Sequence, residues 1–356
     1  MWRKPIIAFL CWVMIVFGCG VAGLANGLVF YIDGGNVDMV QALVLEGVDV
    51  NEVDERGITP LLHAILFGDN AQIVKILLDA GADHTVLDNY GRSFLMLSAR
   101  YNSNPEIIRL LIDSGVDVNS KDALGWSALT YASSSNNNPE VLKNLITAGA
   151  SINHRDNGGG TPLMRAATAN SEPEIILFLK QAGADPGIRD QDGKTALMHA
   201  AMSNRHPDIV VSLIQIGSDC GAKDKDGRTA LMHAAQSNQN SEVVKELLKR
   251  GGGIESRDNF GATPLMHAAR LNRNADVIRL FVDAGADINA KNRGGWTPLM
   301  GAAMWNDNPE IVRVLLEAGA DGKMRSTEGK TAFDYAGANS HLKNTDEYWL
   351  LSDARY

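Results

Sequence analysis

Four histidines recur at one position of this 356-residue chain and are the side chains best suited to chemistry. They are His63, His199, His233 and His267. Imidazole nitrogens bind zinc at about 2.0–2.1 Å, but neighbouring packed helices lie roughly 8–10 Å apart. We identify no cysteine, aspartate or glutamate at a matching position nearby. The histidines are therefore expected to be packed framework residues, and we predict no metal ligand.

A column of carboxylates recurs every 34 residues and could supply acid and base catalysis. Its members are Asp54, Asp88, Asp122, Asp156, Asp190, Asp224 and Asp258, with Asn292 in the next place. One carboxylate per helix spacing is too distant from the next for the separation of about 5–5.5 Å in a retaining glycosidase. We expect these side chains to hydrogen-bond the backbone of hairpin turns instead.

Motifs of common enzyme classes do not occur in the chain. It has no Gly-x-Ser-x-Gly elbow, no phosphate-binding glycine loop and no His-Glu-x-x-His. Each of these motifs marks a specific nucleophile, phosphate cradle or metal site. We therefore predict no catalytic residue, no cofactor and no enzyme activity.

A threonine or serine recurs every 34 residues along almost the whole chain, with a glycine two positions before it. The series is Thr59, Ser93, Ser127, Thr161, Thr195, Thr229, Thr263, Thr297 and Thr331. A fixed period indicates one supersecondary unit that is copied and stacked, because a single unit cannot bury its apolar face alone. In one copy, residues 226–235 open a first helix and residues 242–248 form a second with one apolar face.

The motifs of this unit resemble the ankyrin repeat. Gly-x-Thr-Pro-Leu occurs at residues 57–61, 261–265 and 295–299, and Gly-Ala-Asp-Ile-Asn occurs at residues 285–289. The resemblance covers residues 26 to about 340 and implies an all-α solenoid. Its units would be helix-turn-helix pairs joined by β-hairpin loops.

The resemblance divides the chain into segments. Residues 26–54 resemble a partial first unit, residues 55–326 form eight full repeats, and residues 327–356 form a closing repeat with a capping helix. Residues 1–25 precede the array. The capping helix would cover the last unit with one polar face, to which we assign Asp346, Glu347, Asp353 and Arg355.

Residues 1–25 have the layout of a secretory signal peptide, with Arg3 and Lys4 before an apolar run and small residues up to Ala25. Cleavage after Ala25 would take the net charge from -9 to -11. A retained membrane anchor and a lipid attached at Cys19 are the alternatives. Export would leave Cys220 as the single cysteine of the mature chain, without an internal disulfide.

Two features depart from the usual ankyrin pattern. The period is 34, where ankyrin repeats usually have 33 residues, and the extra residue falls in a turn that reads Asn-x-Asn-Pro-Glu at residues 102–106. We expect its first Asn to be left-handed and its second to cap the following helix. The family's inter-repeat histidine position is mostly methionine, which we expect to form a buried stripe. These methionines are Met96, Met164, Met198, Met232, Met266 and Met300.

The resemblance implies that hairpins and first-helix ends line a concave groove, and aromatic and arginine side chains there are typical of binding hot spots. The predicted partner-binding residues are Tyr90, Arg92, Arg100, Tyr101, Trp126, Arg228, Phe260, Arg270, Trp296, Met304 and Trp305. Those before residue 130 form an early cluster, and those from Phe260 onward form a late cluster. At about 10 Å per unit, we expect the two clusters to be roughly 50 Å apart.

The sequence therefore predicts an exported, non-catalytic and monomeric scaffold that binds a protein partner along its concave face. The alternatives are a secreted effector that acts on a host protein and a structural or protective periplasmic component that stabilises an envelope enzyme. A net charge of -9 disfavours nucleic acid as a partner. Membrane contact is expected only through an uncleaved or lipidated N-terminus.

Overall fold

The computed structural model describes residues 21–356, which form helices connected by turns, with no strand among these residues. The helices are α1 (Val21–Asp33), α2 (Val37–Leu45), α3 (Pro60–Leu66), α4 (Ala71–Asp79), α5 (Phe94–Tyr101), α6 (Pro105–Asp113), α7 (Ala128–Ser135), α8 (Pro139–Thr147), α9 (Pro162–Ala169), α10 (Pro173–Gln181), α11 (Ala196–Ser203), α12 (Pro207–Gln215), α13 (Ala230–Ser237), α14 (Ser241–Lys249), α15 (Pro264–Leu271), α16 (Ala275–Asp283), α17 (Pro298–Trp305), α18 (Glu310–Glu317), α19 (Ala332–Ala336) and α20 (Asp346–Ala354). The chain divides into two compact units between Asn157 and Gly158.

The recurring threonine caps the first helix of each repeat. In α13 the hydroxyl of Thr229 accepts a hydrogen bond from the Met232 backbone N–H at 3.4 Å. In α11 and α15 the methionine at the same position also accepts, because its sulfur lies 3.5 Å from the backbone nitrogen of the capping threonine. The capping position explains why only Thr or Ser recurs there.

The core lies between the paired helices and their neighbours in the next repeat. In α14, Val243, Val244 and Leu247 are completely buried, as the apolar spacing predicts. The methionine column is buried as well, with Met232 at 0% and Met266 at 7% exposure. The expectation of a core stripe is therefore confirmed.

The two asparagines of the turn between paired helices have different roles. The second is an N-cap as expected, since the Asn240 side chain accepts from the Glu242 N–H at 3.1 Å. The expectation for the first was wrong. Asn238 has φ -81° and ψ 121°, an extended conformation rather than a left-handed one.

This first asparagine instead connects successive repeats. The Asn238 amide nitrogen donates to the carbonyls of Ala201 at 3.0 Å and Asn204 at 2.8 Å in the preceding repeat. Its oxygen accepts from the Asn240 N–H at 3.0 Å. The same two-carbonyl contact is made by Asn102, Asn136, Asn204, Asn272, Asn306 and Asn339. These asparagines form a buried polar ladder between repeats.

Helix α20 packs against the preceding repeat, with Leu351 buried at 1% exposure. The Tyr348 ring lies 5.0 Å from that of Phe333. The expectation that Glu347 faces solvent was wrong, because Glu347 is 7% exposed and forms an ion pair with Arg313. The buried Leu351, the contact between the Tyr348 and Phe333 rings and the Arg313–Glu347 pair thus hold the cap in place.

Helix α1 begins within the segment predicted to be an export signal. Residues 1–20, with the apolar run and Cys19, lie outside the described residues. Leu28 and Ile32 are buried, and α1 packs on α2 and α3. Among residues 21–356, no helix is long and apolar enough to cross a membrane. The end of the segment at Ala25 stays a prediction.

Candidate binding site

Each hairpin is organised around the carboxylate column. The Asp258 Oδ1 atom accepts from the backbone N–H groups of Phe260 at 2.8 Å and Ala262 at 2.9 Å, which is the turn-stabilising role expected from the sequence. The other oxygen lies 2.9 Å from His267 Nε2. Asp224 and His233 make the same contact at 2.8 Å.

The recurring histidines are therefore partners of the hairpin carboxylates. The expectation that no carboxylate lies at a matching position nearby was wrong, because the turn folds back and brings each of these aspartates to the histidine nine residues later. The nine-residue separation between Asp and His was the signal that could have revealed the pair. Within residues 21–356 no group of three or more His, Cys, Asp or Glu side chains is placed to hold a metal ion.

Other residue types take the histidine's place in some repeats. The Tyr131 hydroxyl donates to Asp122 at 2.5 Å, and the Tyr335 hydroxyl lies 2.9 Å from Ser326 Oγ. Burial, followed by the contact with the Asp122 carboxylate, raises the pKa of Tyr131. A ring that meets the turn residue is thus a recurring element of this framework.

The buried histidines should make stability sensitive to mild acid. Burial lowers the pKa of His233 below its usual value near 6.5, against the opposing effect of Asp224. The unfolded chain then binds the proton more readily, so this contribution is present above pH 6.5 and is lost as the pH falls below it. We expect the tyrosine of His233→Tyr to keep the contact with Asp224, as Tyr131 does with Asp122. The wild type should lose free energy of unfolding between pH 7.5 and 5.5, and this variant should reduce that loss by up to about 1 kcal/mol.

Urea denaturation at both pH values measures this difference. The matched control is His206→Tyr, because His206 is exposed. A stability loss that is equal in His233→Tyr and the wild type would show that His233 is not the titrating group.

The early cluster is assembled around Tyr131, which sequence reasoning missed. The Arg100 guanidinium lies 5.0 Å from the Tyr101 ring centre and 5.6 Å from that of Tyr131. The centre of the Trp126 ring also lies 5.1 Å from the centre of the Tyr131 ring. The structure thus brings Arg100, Tyr101 and Trp126 together. The sequence signal for Tyr131 is its place nine residues after Asp122, the same separation that joins aspartate and histidine in other repeats.

Tyr90 and Arg92 complete the early cluster on the neighbouring hairpin. The Arg92 guanidinium lies 5.1 Å from the Tyr90 ring centre and pairs with Asp88 at 2.6 Å. Tyr90 and Tyr101 are 67% and 55% exposed, whereas Arg92 is largely covered. The accessible surface of this cluster is therefore mainly tyrosine.

The late cluster contains a stack of three rings. Trp296 lies 4.7 Å from Trp305 and 4.2 Å from Tyr335, both in stacked geometry. The Arg270 guanidinium lies 4.4 Å from the Trp305 ring centre. A cavity of about 150 Å³ opens beside this stack, between α15 and α17. The predicted residues Arg270, Trp296 and Trp305 all line it.

The remaining predicted residues lie outside this cavity. Phe260 is 64% exposed on the preceding hairpin, where its carbonyl accepts from the Arg293 N–H at 3.0 Å. Met304 is half-buried in α17. Arg228 is half-buried on an earlier hairpin, 3.7 Å from Asp226, and does not join the late cluster.

Stacked helix pairs with hairpins linked by backbone hydrogen bonds define a repeat protein that presents side chains from its turns. A family model described as ankyrin repeats (3 copies) matches residues 28–122, 95–190, 129–224, 163–258, 197–292, 233–326 and 274–347. The chain belongs to the ankyrin repeat family. No curated protein matches it significantly. Ankyrin repeats are typically protein-interaction scaffolds, and the family is generally non-catalytic.

Proposed function

We propose that this protein is a non-catalytic scaffold that binds a protein partner through its hairpin tips and first-helix ends. The observation that supports this most is that the threonine, asparagine and aspartate side chains that recur with the period make contacts within the framework, whereas four of the aromatic side chains that break the period reach the surface. Tyr90, Tyr101, Phe260 and Trp305 are between 41% and 67% exposed. Exposed aromatic groups beside arginine are typical of interface hot spots.

The framework supports this function by holding these groups in place before binding. In the early cluster, Tyr101 lies against Arg100, and in the late cluster Trp305 lies against Arg270 and Trp296. Side chains that are already ordered lose less entropy when a partner docks. A preorganised surface of this kind needs no catalytic group to be useful.

We also propose that the protein is exported, with residues 1–25 removed or retained as an anchor. The period supports removal after Ala25, because Asn26 lies 34 residues before Pro60, the first residue of α3. Such cleavage would leave a first helix that starts where those of later repeats start. N-terminal sequencing of the native protein tests this, and an intact Met1 in a cytosolic fraction would contradict it.

Capture of the partner from native extract by alanine variants tests the binding surface. We expect Phe260→Ala with Trp305→Ala, or Tyr90→Ala with Tyr101→Ala, to weaken capture by about thirtyfold, as for hot-spot residues. The matched control is Trp349→Ala, because Trp349 is 58% exposed on α20 and belongs to neither cluster. Equal capture by all variants would contradict the proposal.

A further inference from the structure

Gly301 is the one small residue at a position that is otherwise filled by a larger side chain in the repeats described. The other occupants of this position are His63, Leu97, Tyr131, Arg165, His199, His233, His267 and Tyr335. In the same repeat, Asn292 stands where seven earlier repeats have aspartate. The turn residue and the first-helix residue that contact each other in several other repeats are therefore both replaced in this repeat.

The missing side chain leaves the cavity of about 150 Å³ in the late cluster, here called the Gly301 pocket. Its lining residues are Ala262, Met266, His267, Arg270, Asn292, Trp296, Thr297, Gly301 and Trp305. A Cβ added at Gly301 would meet its nearest atom, Arg270 Cβ, at 3.7 Å, which is an ordinary van der Waals contact, so a side chain could start here without a clash. A volume of about 150 Å³ is large enough for a benzene ring.

The polar end of the pocket is an amide donor. The Asn292 oxygen accepts from the N–H groups of Gly294 at 2.9 Å and Trp296 at 3.0 Å. Because both of these partners are donors, the oxygen must face them and the amide nitrogen must face away. In five other repeats the atom on that side is the carboxylate oxygen that meets a histidine or tyrosine ring. The Asn292 NH₂ has no hydrogen-bond partner within residues 21–356.

We propose that the Gly301 pocket binds the phenol ring of a tyrosine side chain from the protein partner. This inference rests on the proposed binding function and names the group that is recognised. The ring fits because Tyr131 and Tyr335 occupy the same position in their own repeats, with hydroxyls 2.5 and 2.9 Å from the turn residue. The phenol oxygen would accept a hydrogen bond from Asn292.

The charge at the pocket favours a neutral ring over a cation. The Arg270 guanidinium already lies over Trp305 and would repel an ammonium or imidazolium group. The apolar faces of Trp296 and Trp305 favour a flat ring, which stacks at offset or edge contacts. A phenol satisfies the amide donor and these apolar walls together.

Titration with p-cresol, which has the tyrosine side-chain ring, tests occupancy of the pocket without any partner. The full chain should show saturable binding by tryptophan fluorescence. The double variant Gly301→His with Asn292→Asp restores the pair seen at Asp258 and His267 and should weaken p-cresol binding at least about tenfold. Thermal unfolding of this variant checks its folding, and a melting temperature at or above that of the wild type is expected. Equal binding by the folded double variant would overturn the proposal.

A second pair of probes tests the amide donor. Pyridine and benzene share one shape, but only pyridine accepts a hydrogen bond. Asn292→Asp keeps the turn acceptor and removes the donor, so the ratio of pyridine to benzene affinity should fall about fivefold, the worth of one neutral hydrogen bond. An unchanged ratio would overturn the preference for a ring that carries an acceptor.

Partner capture by the double variant then separates this inference from the proposed function. Loss of capture with Gly301→His and Asn292→Asp supports a tyrosine that enters the pocket. Capture that persists in this variant, but is lost with Phe260→Ala and Trp305→Ala, would overturn the pocket assignment and leave the binding scaffold intact. Capture that survives every substitution would contradict the scaffold, whatever the result with p-cresol.

Discussion

Replacing Asn238 with alanine is expected to lower the free energy of unfolding by about 3 kcal/mol. The side chain is 3% exposed and donates to the Ala201 and Asn204 carbonyls at 3.0 and 2.8 Å. Alanine would leave these two acceptors without their donor and would also remove the acceptor for the Asn240 N–H. Each buried group that loses its partner costs about 1–3 kcal/mol, which is more than the net worth of the bond itself.

Chemical denaturation of the variant beside Gln239→Ala measures this effect. Gln239 is the next residue and is exposed, so its truncation should change the free energy of unfolding by less than about 0.5 kcal/mol. If the two variants were equally stable, the asparagine ladder would not be a source of cohesion between repeats.

Replacing Gly227 with alanine is expected to have the second large effect, lowering the free energy of unfolding by about 3 kcal/mol. Gly227 has φ +79°, a region that costs a residue with a Cβ roughly 1–2 kcal/mol. The added Cβ would also lie 2.6 Å from Asn259 Oδ1 and 2.9 Å from its backbone nitrogen. The next hairpin would have to shift, although its Asn259 N–H is bonded to the Asp226 carbonyl at 2.9 Å.

Gly329→Ala is the matched control for the contact between hairpins. Gly329 has nearly the same backbone conformation, with φ +76°, but nothing lies within 4 Å of its added Cβ. Its substitution should therefore lower the free energy of unfolding by only about 1 kcal/mol, the cost of placing a residue with a Cβ at positive φ. Equal stability losses in urea would indicate that the turn alone, and not the neighbouring hairpin, requires glycine.

The local elements of this fold could be predicted because their signals are local. Thr229 caps a helix, Asn240 caps another, and Val243 with Leu247 marks a buried face by spacing alone. Each depends on residues within one turn of helix, so one repeat is sufficient to interpret it. Nine copies in register then identified the family.

Contacts between repeats were less accessible to sequence reasoning. Asn238 looked like a left-handed turn residue because its two carbonyl partners are 34 and 37 residues away. The link between His233 and Asp224 was missed for a similar reason, since the turn folds back over nine residues. Periodicity shows that a residue recurs, but it does not show which neighbour the residue contacts.

The candidate site was predicted in part. The aromatic and arginine residues were recognised because they break the period, and the structure brings Arg270, Trp296 and Trp305 to one cavity. Gly301 was not singled out, because a glycine contributes no side chain to a list of binding groups. Its importance emerges only when the space left by a missing ring is compared with the filled position in other repeats.

Hydrogen–deuterium exchange of the full-length protein, free and bound to its captured partner, tests the central claim most directly. We expect slower exchange on binding at the hairpins and first-helix ends of the two clusters, around residues 88–101, 122–135, 258–271 and 292–305. The second helices α4 and α14 should be unchanged. Protection confined to the second helices, with no change at the hairpins, would contradict it.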